Sequence, residues 1–312
     1  MDINKRKDIL HRIEQKLNMP SLSDKLTNEL SSSDFNSLLT EVFEQRAEKV
    51  SPNEMLKLYA QNRYAKPAIC DAIQYHRLEI DMLTAAEEKG VQSIILSPAS
   101  LFGCCSVFGA VSQNKVISAT RNLEILSDAT NMLALYVASG IKDGSLSHAN
   151  APIHLCSTHR HIRYQSEFRV GMLPHFGIFT MVSAGKSRSS YAFEIEALLF
   201  QLQFYRDYWM QKHGSMLSLS FSRRKGYKDP NGFFNRVIEV VKENIDMEIE
   251  INEQENNTEY YKGLQATLNA RTDGKIIEIG DIGFTDWTQK LLNNTSERLL
   301  ISAMALDRQM SL

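Results

Sequence analysis

Two apolar-rich segments, Ile153 to Ile162 and Phe176 to Ala184, constrain the fold of this chain more than any other feature. They flank a turn over residues 171–174 that begins with glycine and ends with proline. Apolar segments of this length around such a turn are typical of two antiparallel strands joined by a medium-length loop. The sequence therefore predicts a β-hairpin in the middle of the chain.

Basic side chains are concentrated near the loop end of this hairpin, namely His159, Arg160, His161, Arg163, Arg169 and His175. Guanidinium groups form paired hydrogen bonds with phosphate oxygens, so cations on a loop between two strands are suited to binding phosphates. Phe176 begins the return strand and offers a flat face to a purine ring. The alternative interpretation is a basic surface hairpin that binds no ligand.

The composition favours an ordinary cytoplasmic protein. Its 312 residues are 43% apolar and 23% charged, which is enough for one large domain or for one domain with a smaller helical attachment. A formal net charge of -2 argues against broad electrostatic binding to nucleic acid. No apolar run reaches the roughly 18 residues that span a bilayer, and the charged N-terminus lacks a signal-peptide core. We therefore expect no membrane association.

Neither the cysteines nor the histidines predict a metal site. The four cysteines lack the spacing of a zinc site, and a disulfide framework is unusual at this chain length, so we expect free thiols. His159 and His161 share one strand face, but the sequence shows no obvious third ligand.

Residues 1–62 contain helical patterns and no convincing strand. Ile9, Leu10, Ile13 and Leu17 fall on one helical face, and Ser51, followed by proline, starts a further helix. We predict a helical N-terminal attachment over residues 1–62 and a core domain over residues 63–312.

The core alternates helices with strands. We predict helices over residues 67–89, 193–213 and 229–245, and strands over residues 91–98, 216–222, 264–270, 275–279 and 299–305. The segment ILSDATN, residues 125–131, predicts a strand end followed by a helix that Asp128 or Thr130 caps. Strands joined by hairpins and interrupted by helices predict an α+β fold, a mainly antiparallel sheet flanked by helices.

Three segments occur in a distinctive order. The first is a helix that ends at Gly90 and is followed by a strand and Pro98. The second runs from Arg163 to Gln165 and continues with Arg169 and Phe176, and the third runs from Ala305 to Arg308. In this order they resemble motifs 1, 2 and 3 of class II aminoacyl-tRNA synthetases. The pattern is most similar to the catalytic core of histidyl-tRNA synthetases. Two further segments support this likeness. TEYYKG (residues 258–263) resembles LDYYTG in that family, whereas IGDIGFTDW (residues 279–287) replaces its GGGRYD segment.

The resemblance implies an ATP site. Arg163 would hold the α-phosphate and the amino-acid carboxylate, and Arg169 would reach the distal phosphates. Phe176 would stack on adenine, Gln165 would lie where the family reads the adenine amino group, and Arg308 would lie on the opposite side of the nucleotide. Of these residues, the resemblance makes Arg163 and Arg308 catalytic.

The resemblance also implies a site for an amino acid and for Mg2+. Asp128 and Thr130 would meet the ammonium group of the amino acid, and Tyr261 would contact it. Mg2+ would arrive with the ATP phosphates, helped by Glu194 or Glu196. Motif 1 builds a two-fold interface in this fold, so the resemblance also implies a homodimer.

Three departures from the family pattern argue against ordinary tRNA charging. Gln165 replaces a glutamate of motif 2, and Asn256 replaces the arginine that recognises histidine. The sequence ends four residues after Arg308, which leaves no anticodon-binding domain. Canonical tRNA binding is therefore not expected.

Each candidate has a structural alternative. Arg163 and Arg169 are then surface ion-pair formers, Phe176 is a core residue, and Asp128 is only a helix cap. Arg308 is then a residue near the C-terminus without a role.

Two functions of different class follow. The first is a stand-alone enzyme that activates an amino acid or related carboxylate with ATP and passes it to a small molecule, a carrier protein or a nonstandard RNA. The second is a noncatalytic regulatory or ligand-sensing paralogue, similar to the regulatory subunit of ATP phosphoribosyltransferase.

Overall fold

The computed structural model describes residues 3–165, 172–252, 259–272 and 274–312. Its helices are α1 (Ile3–Leu17), α2 (Leu22–Asn28), α3 (Ser32–Ala47), α4 (Pro52–Gln61), α5 (Ala72–Glu88), α6 (Cys104–Val107), α7 (Ala129–Asp143), α8 (Ala192–His213), α9 (Pro230–Asn244), α10 (Trp287–Leu292) and α11 (Leu306–Gln309). Its strands are β1 (Gln92–Ser93), β2 (Ala99–Leu101), β3 (Leu123–Ile125), β4 (Ile153–Ile162), β5 (His175–Lys186), β6 (Ser218–Arg223), β7 (Glu248–Asn252), β8 (Lys262–Thr272), β9 (Lys275–Thr285) and β10 (Glu297–Ala305).

An eight-stranded sheet in the order β1-β4-β5-β10-β9-β8-β6-β7 forms the centre of the fold. Every inner pair is antiparallel, whereas the two edge pairs, β1 with β4 and β6 with β7, are parallel. β2 and β3 form a separate antiparallel pair. The predicted α+β fold with a mainly antiparallel sheet and flanking helices is confirmed.

The predicted central hairpin is formed by β4 and β5. Its register runs without a break from Ile153 opposite Ala184 to Ile162 opposite His175. The predicted turn at 171–174 falls partly outside the described residues, and so does Arg169.

The two faces of the sheet belong to two different cores. On β10, Leu300 and Met304 pack into a large core with α5, α8 and α9, whereas Leu299 and Ile301 pack on the opposite face with α7 and α10. This alternation follows from the two-residue period of a strand. Because α7 and α10 cover only part of the second face, the remainder is open to a cleft.

The observed elements differ from several of the predicted ones. The helix predicted over 67–89 begins only at Ala72, because Asp71 caps it by accepting a hydrogen bond from the Gln74 N–H at 2.8 Å. The strand predicted over 91–98 shrinks to β1, which pairs with β4 through two residues at the edge of the sheet. Strand β7, with few internal contacts at the other edge, was not predicted at all.

The helical character predicted for residues 1–62 is confirmed, although α2 was not predicted as a separate helix and the domain boundary at residue 62 stays a prediction. No side chain of α2, α3 or α4 is buried. Asn36 of α3 accepts hydrogen bonds from the backbone N–H groups of Arg121 and Asn122. Among the described residues, no helix is both long and apolar enough to cross a bilayer.

Candidate functional site

A cleft of about 790 Å³ lies on the open part of the second sheet face. The hairpin end, the start of α7, β8, β9, β10 and the start of α11 surround it. All the described residues predicted to bind ATP or the amino acid line this cleft: Asp128, Thr130, Arg163, Gln165, Phe176, Tyr261 and Arg308. Residues far apart in the sequence therefore share one site, while their individual roles stay predictions.

Arg163 follows the last residue of β4 and is held against the start of α7. Its Nη2 donates a hydrogen bond to the Ser127 carbonyl at 3.1 Å and lies 3.8 Å from Asp128 Oδ2. About a third of the side chain (34%) stays exposed. The guanidinium is thus anchored on one side and remains accessible to a ligand in the cleft.

Asp128 caps helix α7, which was one of the two caps predicted from the sequence. Its Oδ1 accepts hydrogen bonds from the Thr130 N–H at 3.1 Å and from Thr130 Oγ1 at 2.6 Å. Its Oδ2 accepts a further one from Tyr260 Oη at 2.6 Å. Burial raises the pKa of Tyr260, and the neighbouring Asp128 carboxylate raises it further, so the phenol is the donor. Both oxygens of Asp128 therefore have partners within the protein.

The segment before Arg308 is anchored to the hairpin through Asp307. Its Oδ1 pairs with Arg160 Nη2 at 3.0 Å, and its Oδ2 accepts a hydrogen bond from the Gly177 N–H. Arg308 in turn donates through Nη1 to the Glu278 carbonyl on β9. Arg308 therefore has a defined position on the β9 side of the cleft.

The sheet order separates the two described arginines of the site. Arg163 extends β4 and Arg308 contacts β9, and the order β4-β5-β10-β9 sets those strands three spacings apart, roughly 14 Å. Phe176 of β5 lies between them and is only partly buried, with its ring in edge contact with His161. Cations therefore flank an aromatic ring on two sides.

Gln165 is fixed through its backbone. Its N–H donates to Tyr64 Oη at 2.8 Å, and the same hydroxyl donates to the Gln165 carbonyl at 3.0 Å. The side chain is left to line the cleft. The segment that follows α4 thus supports one wall of the site.

The paired histidines are structural. His161 is fully buried, and its Nε2 accepts a hydrogen bond from the Ala129 N–H at 3.1 Å at the start of α7. Burial lowers the pKa of His161 to about 3, and the nearby His159 and Arg163 act in the same direction. The described part of the chain contains no group of three His, Cys, Asp or Glu side chains arranged to hold a metal ion.

His161 should make stability fall as the solution is acidified. Its pKa is about 3 in the folded chain but 6.5 in the unfolded one, so below pH 6.5 the unfolded chain binds a proton that the folded chain does not. The free energy of unfolding should drop by up to about 1.4 kcal/mol per pH unit from this group between those values. Urea unfolding of the His161→Gln variant should show a shallower loss than the parent, and His76→Gln, at an exposed histidine, serves as control. Equal slopes for parent and His161→Gln would contradict this assignment.

The floor of the cleft consists of residues that the sequence analysis did not single out. We call Arg224, Gln265 and Asp281 the polar floor. Arg224 Nη2 donates to Gln265 Oε1, and Gln265 Nε2 donates to Asp281 Oδ1 at 2.7 Å. The one local signal was an acidic residue inside the apolar segment IGDIGF.

The carboxylates named as helpers for Mg2+ do not line the cleft. Glu194 is buried, where its Oε1 accepts hydrogen bonds from Arg298 Nε at 2.7 Å and from Tyr227 Oη at 3.1 Å. Glu196 is exposed and pairs with Arg188. The expectation that either assists Mg2+ in this cleft was therefore wrong.

Comparisons with known proteins define the fold further. No protein-family model and no curated protein sequence matches the chain. A histidyl-tRNA synthetase from S. aureus matches in structure with a TM-score of 0.57 and 15% identity, over 77% of this chain and 66% of that one. The chain has the class II aminoacyl-tRNA synthetase fold.

Two further solved structures with this fold are matched over most of their length. An ATP phosphoribosyltransferase regulatory subunit/histidyl-tRNA synthetase from Bacillus halodurans has a TM-score of 0.54 and 10% identity, over 79% of this chain and 84% of that one. A histidine–tRNA ligase subunit from Alicyclobacillus acidocaldarius has a TM-score of 0.59 and 11% identity, over 78% of this chain and 94% of that one. By contrast, the chain spans just under two thirds of the S. aureus protein.

Proposed function

We propose that this chain activates an amino acid or a related carboxylate with ATP, forming an acyl adenylate, and that it does not charge tRNA in the ordinary way. The observation that carries the proposal is the convergence of Arg163, Phe176 and Arg308 on one cleft. Arg163 and Phe176 come from the segment that resembles motif 2, and Arg308 comes from the distant segment that resembles motif 3 of the class II core.

The nucleotide part of the proposal uses the aromatic ring and the flanking cations. Phe176 would stack on adenine, Gln165 would contact its edge, and Arg163 and Arg308 would hold the nucleotide from two sides. Arg169, which lies outside the described residues, would reach the distal phosphates. A partly buried ring between two separated guanidinium groups supports this arrangement.

The carboxylate ligand would lie beside the start of α7. Asp128, Thr130 and Tyr261 would contact its ammonium end, and Arg163 would contact its carboxylate. Because Asp128 already accepts three hydrogen bonds, the ammonium would be an additional partner of a carboxylate that the protein holds rigidly. Such rigidity favours a fixed ligand orientation.

In the proposed reaction the ligand carboxylate attacks the α-phosphorus of ATP, and pyrophosphate leaves with the electron pair of the broken bond. Negative charge shifts among the phosphate oxygens during this step. Cations fixed on both sides stabilise that charge without having to reorganise, so Arg163 and Arg308 would be the catalytic residues. No protein nucleophile is required.

Mg2+ would neutralise phosphate charge when it is bound. Because the described residues offer no cluster of three metal-ligating side chains, the ATP oxygens would hold most of the ion. Glu278 lines the β9 side of the cleft, and the charge of Arg308 acts on its carboxyl group. The chain's own contribution to the metal would then be small.

The proposal is tested by amino-acid-dependent exchange between ATP and pyrophosphate in the presence of Mg2+. The assay should be run over the standard amino acids, each with and without the protein. Exchange that depends on one amino acid supports adenylate formation and identifies the substrate at once. Failure of exchange with every amino acid, together with no ATP-induced rise in the thermal midpoint, contradicts the proposal.

A noncatalytic regulatory or ligand-sensing role is the second candidate. It is favoured by Gln165 in place of the glutamate of motif 2 and by the engagement of both Asp128 oxygens. A structural neighbour is itself named as a regulatory subunit of ATP phosphoribosyltransferase. This role predicts an amino-acid-induced thermal shift without pyrophosphate exchange.

We also propose a homodimer built on the α5 side of the sheet. Ile73 and Ile80 of α5 are 62% and 61% exposed, and Ile95, just after the edge strand β1, is 99% exposed. Apolar side chains this exposed along one helix and one sheet edge are suited to a symmetric interface. A carrier or partner protein would receive the acyl group at the cleft.

A further inference from the structure

Asp281 of the polar floor is held in place by neutral donors only. Its Oδ1 accepts hydrogen bonds from Gln265 Nε2 at 2.7 Å and from Thr267 Oγ1 at 3.1 Å. Both donors belong to β8, and the pairing of Thr267 with Asp281 in the β8–β9 register sets their position. One oxygen of this carboxylate is therefore fully engaged, and the side chain has a fixed direction.

Asp281 lines the cleft, and its other carboxylate oxygen, Oδ2, has no hydrogen-bond partner among the described residues. No described residue donates a hydrogen bond to Oδ2, and no described cation lies within ion-pair distance of the carboxylate. Oδ2 is not one of the described side-chain atoms that are both buried from solvent and without a hydrogen-bond partner. It is therefore an acceptor that is reachable from the cleft and that a ligand can satisfy.

The surroundings make a bound donor favourable for this carboxylate. Burial raises the pKa of Asp281, although the hydrogen bonds from Gln265 and Thr267 and the charges of Arg308 and Arg224 oppose that rise. The hydrogen bonds and nearby charges therefore do not fully replace the hydration that the ionised Asp281 carboxylate loses on burial. A donor on Oδ2 would supply that compensation, because hydrogen bonds to a buried carboxylate favour the charged form.

We propose that Asp281 accepts a hydrogen bond from an N–H group at the end of the ligand's side chain, so that the ligand is an amino acid with a side-chain N–H donor. This inference rests on the function proposed above and specifies its substrate class. Acidic and aliphatic amino acids are excluded because their side chains offer no donor, and the amide, imidazole, indole, ammonium and guanidinium side chains are retained. Hydroxyl side chains also donate, and the experiment below separates them from N–H side chains. Asp281 lies in the segment that replaces the glycine-rich family segment, so the acceptor is supplied by a residue particular to this chain.

The test replaces the acceptor Oδ2 of Asp281 with an NH2 donor while the side chain keeps nearly the same shape. In Asp281→Asn the amide oxygen still accepts from Gln265 and Thr267, which leaves an NH2 group where Oδ2 was. An N–H ligand then meets a donor, and its affinity should fall about tenfold to 100-fold. ATP affinity should stay within about twofold, and the thermal midpoint without ligand should be nearly unchanged. Asp246→Asn, at an exposed aspartate outside the cleft, is the matched control.

The measurement is the thermal midpoint of the full chain with ATP and Mg2+, titrated with each standard amino acid, and ATP affinity is measured separately. Stabilisation by one or more N–H amino acids that is lost in Asp281→Asn and kept in Asp246→Asn supports the inference. The responding amino acids also show whether the donor is charged or neutral.

Three other results overturn the inference. The first is stabilisation by aliphatic, hydroxyl or acidic amino acids alone, and the second is an equal response of Asp281→Asn and the parent. The third is a loss of ATP affinity in Asp281→Asn, which would assign Oδ2 to a nucleotide hydroxyl. A parent that binds ATP but no N–H amino acid refutes only this inference. A parent that binds neither ATP nor any amino acid refutes the proposed function as well.

Discussion

Replacing Arg163 with alanine should lower the affinity for ATP and the rate of ATP–pyrophosphate exchange by at least about 100-fold. The reason is that a fixed guanidinium beside the reacting phosphate stabilises the developing negative charge, whereas water molecules would first have to reorient around it. The fold should tolerate the change, since the side chain is 34% exposed and makes one hydrogen bond, to the Ser127 carbonyl. We therefore expect a loss of stability of about 1 kcal/mol at most.

The control is Arg236→Ala, which removes a more exposed arginine (51%) that pairs with Glu239 on α9, away from the cleft. Calorimetric titration with ATP should separate the two variants, and thermal unfolding should not. Unfolding at a much lower temperature with unchanged ATP affinity would show that Arg163 is a structural residue. Loss of ATP affinity in Arg236→Ala would show that the effect is not specific to the cleft.

Local sequence pattern predicted the parts of this fold that depend on local physics. The hairpin of β4 and β5 carries long apolar segments on both sides of a turn, and its strands pair along their whole length. Asp128 was identified as a helix cap because the cap depends on residues within one turn, and its carboxylate contacts the Thr130 N–H. Short-range periodicity and capping are therefore readable before the fold is known.

Edge strands were less predictable than central strands. β1 and β7 lie at the two edges of the sheet and pair with one neighbour each. β1 pairs with only two of the ten residues of β4, so its length does not follow from an apolar pattern of its own. β7 has largely exposed side chains, so its apolar residues gave no clear strand signal.

The polar floor could not be predicted because it depends on register between distant strands. Asp281 meets Thr267 and Gln265 because β8 and β9 pair in a register that sets Thr267 opposite Asp281. Likewise, Tyr260 reaches Asp128 across 132 residues of sequence. The motif resemblance identified residues that lie together in one cleft, but it gave no information about the positions at which this chain differs from the family pattern.

Replacing Gly177 with alanine should destabilise the fold by about 1–3 kcal/mol and should also weaken ATP binding. A Cβ at Gly177 would lie 1.8 Å from Tyr75 Oη and 2.7 Å from Tyr75 Cζ, and Tyr75, a residue of α5, is only 7% exposed. The N–H of Gly177 also donates to Asp307, so the displaced strand would move the segment that carries Arg308.

The coupling between the two positions decides whether this explanation holds. In Tyr75→Leu the ring that blocks the new methyl group is gone, so the Gly177→Ala change should cost less there than in the parent, by at least about 1 kcal/mol. Urea unfolding of the parent, both single variants and the double variant measures this difference, and ATP affinity should recover with it. If the two changes are additive in stability, or if Gly177→Ala unfolds like the parent, the close contact with Tyr75 does not limit this position. Recovery of stability without recovery of ATP affinity would mean instead that the anchor of Asp307 on the Gly177 N–H, and not the packing, controls the position of Arg308.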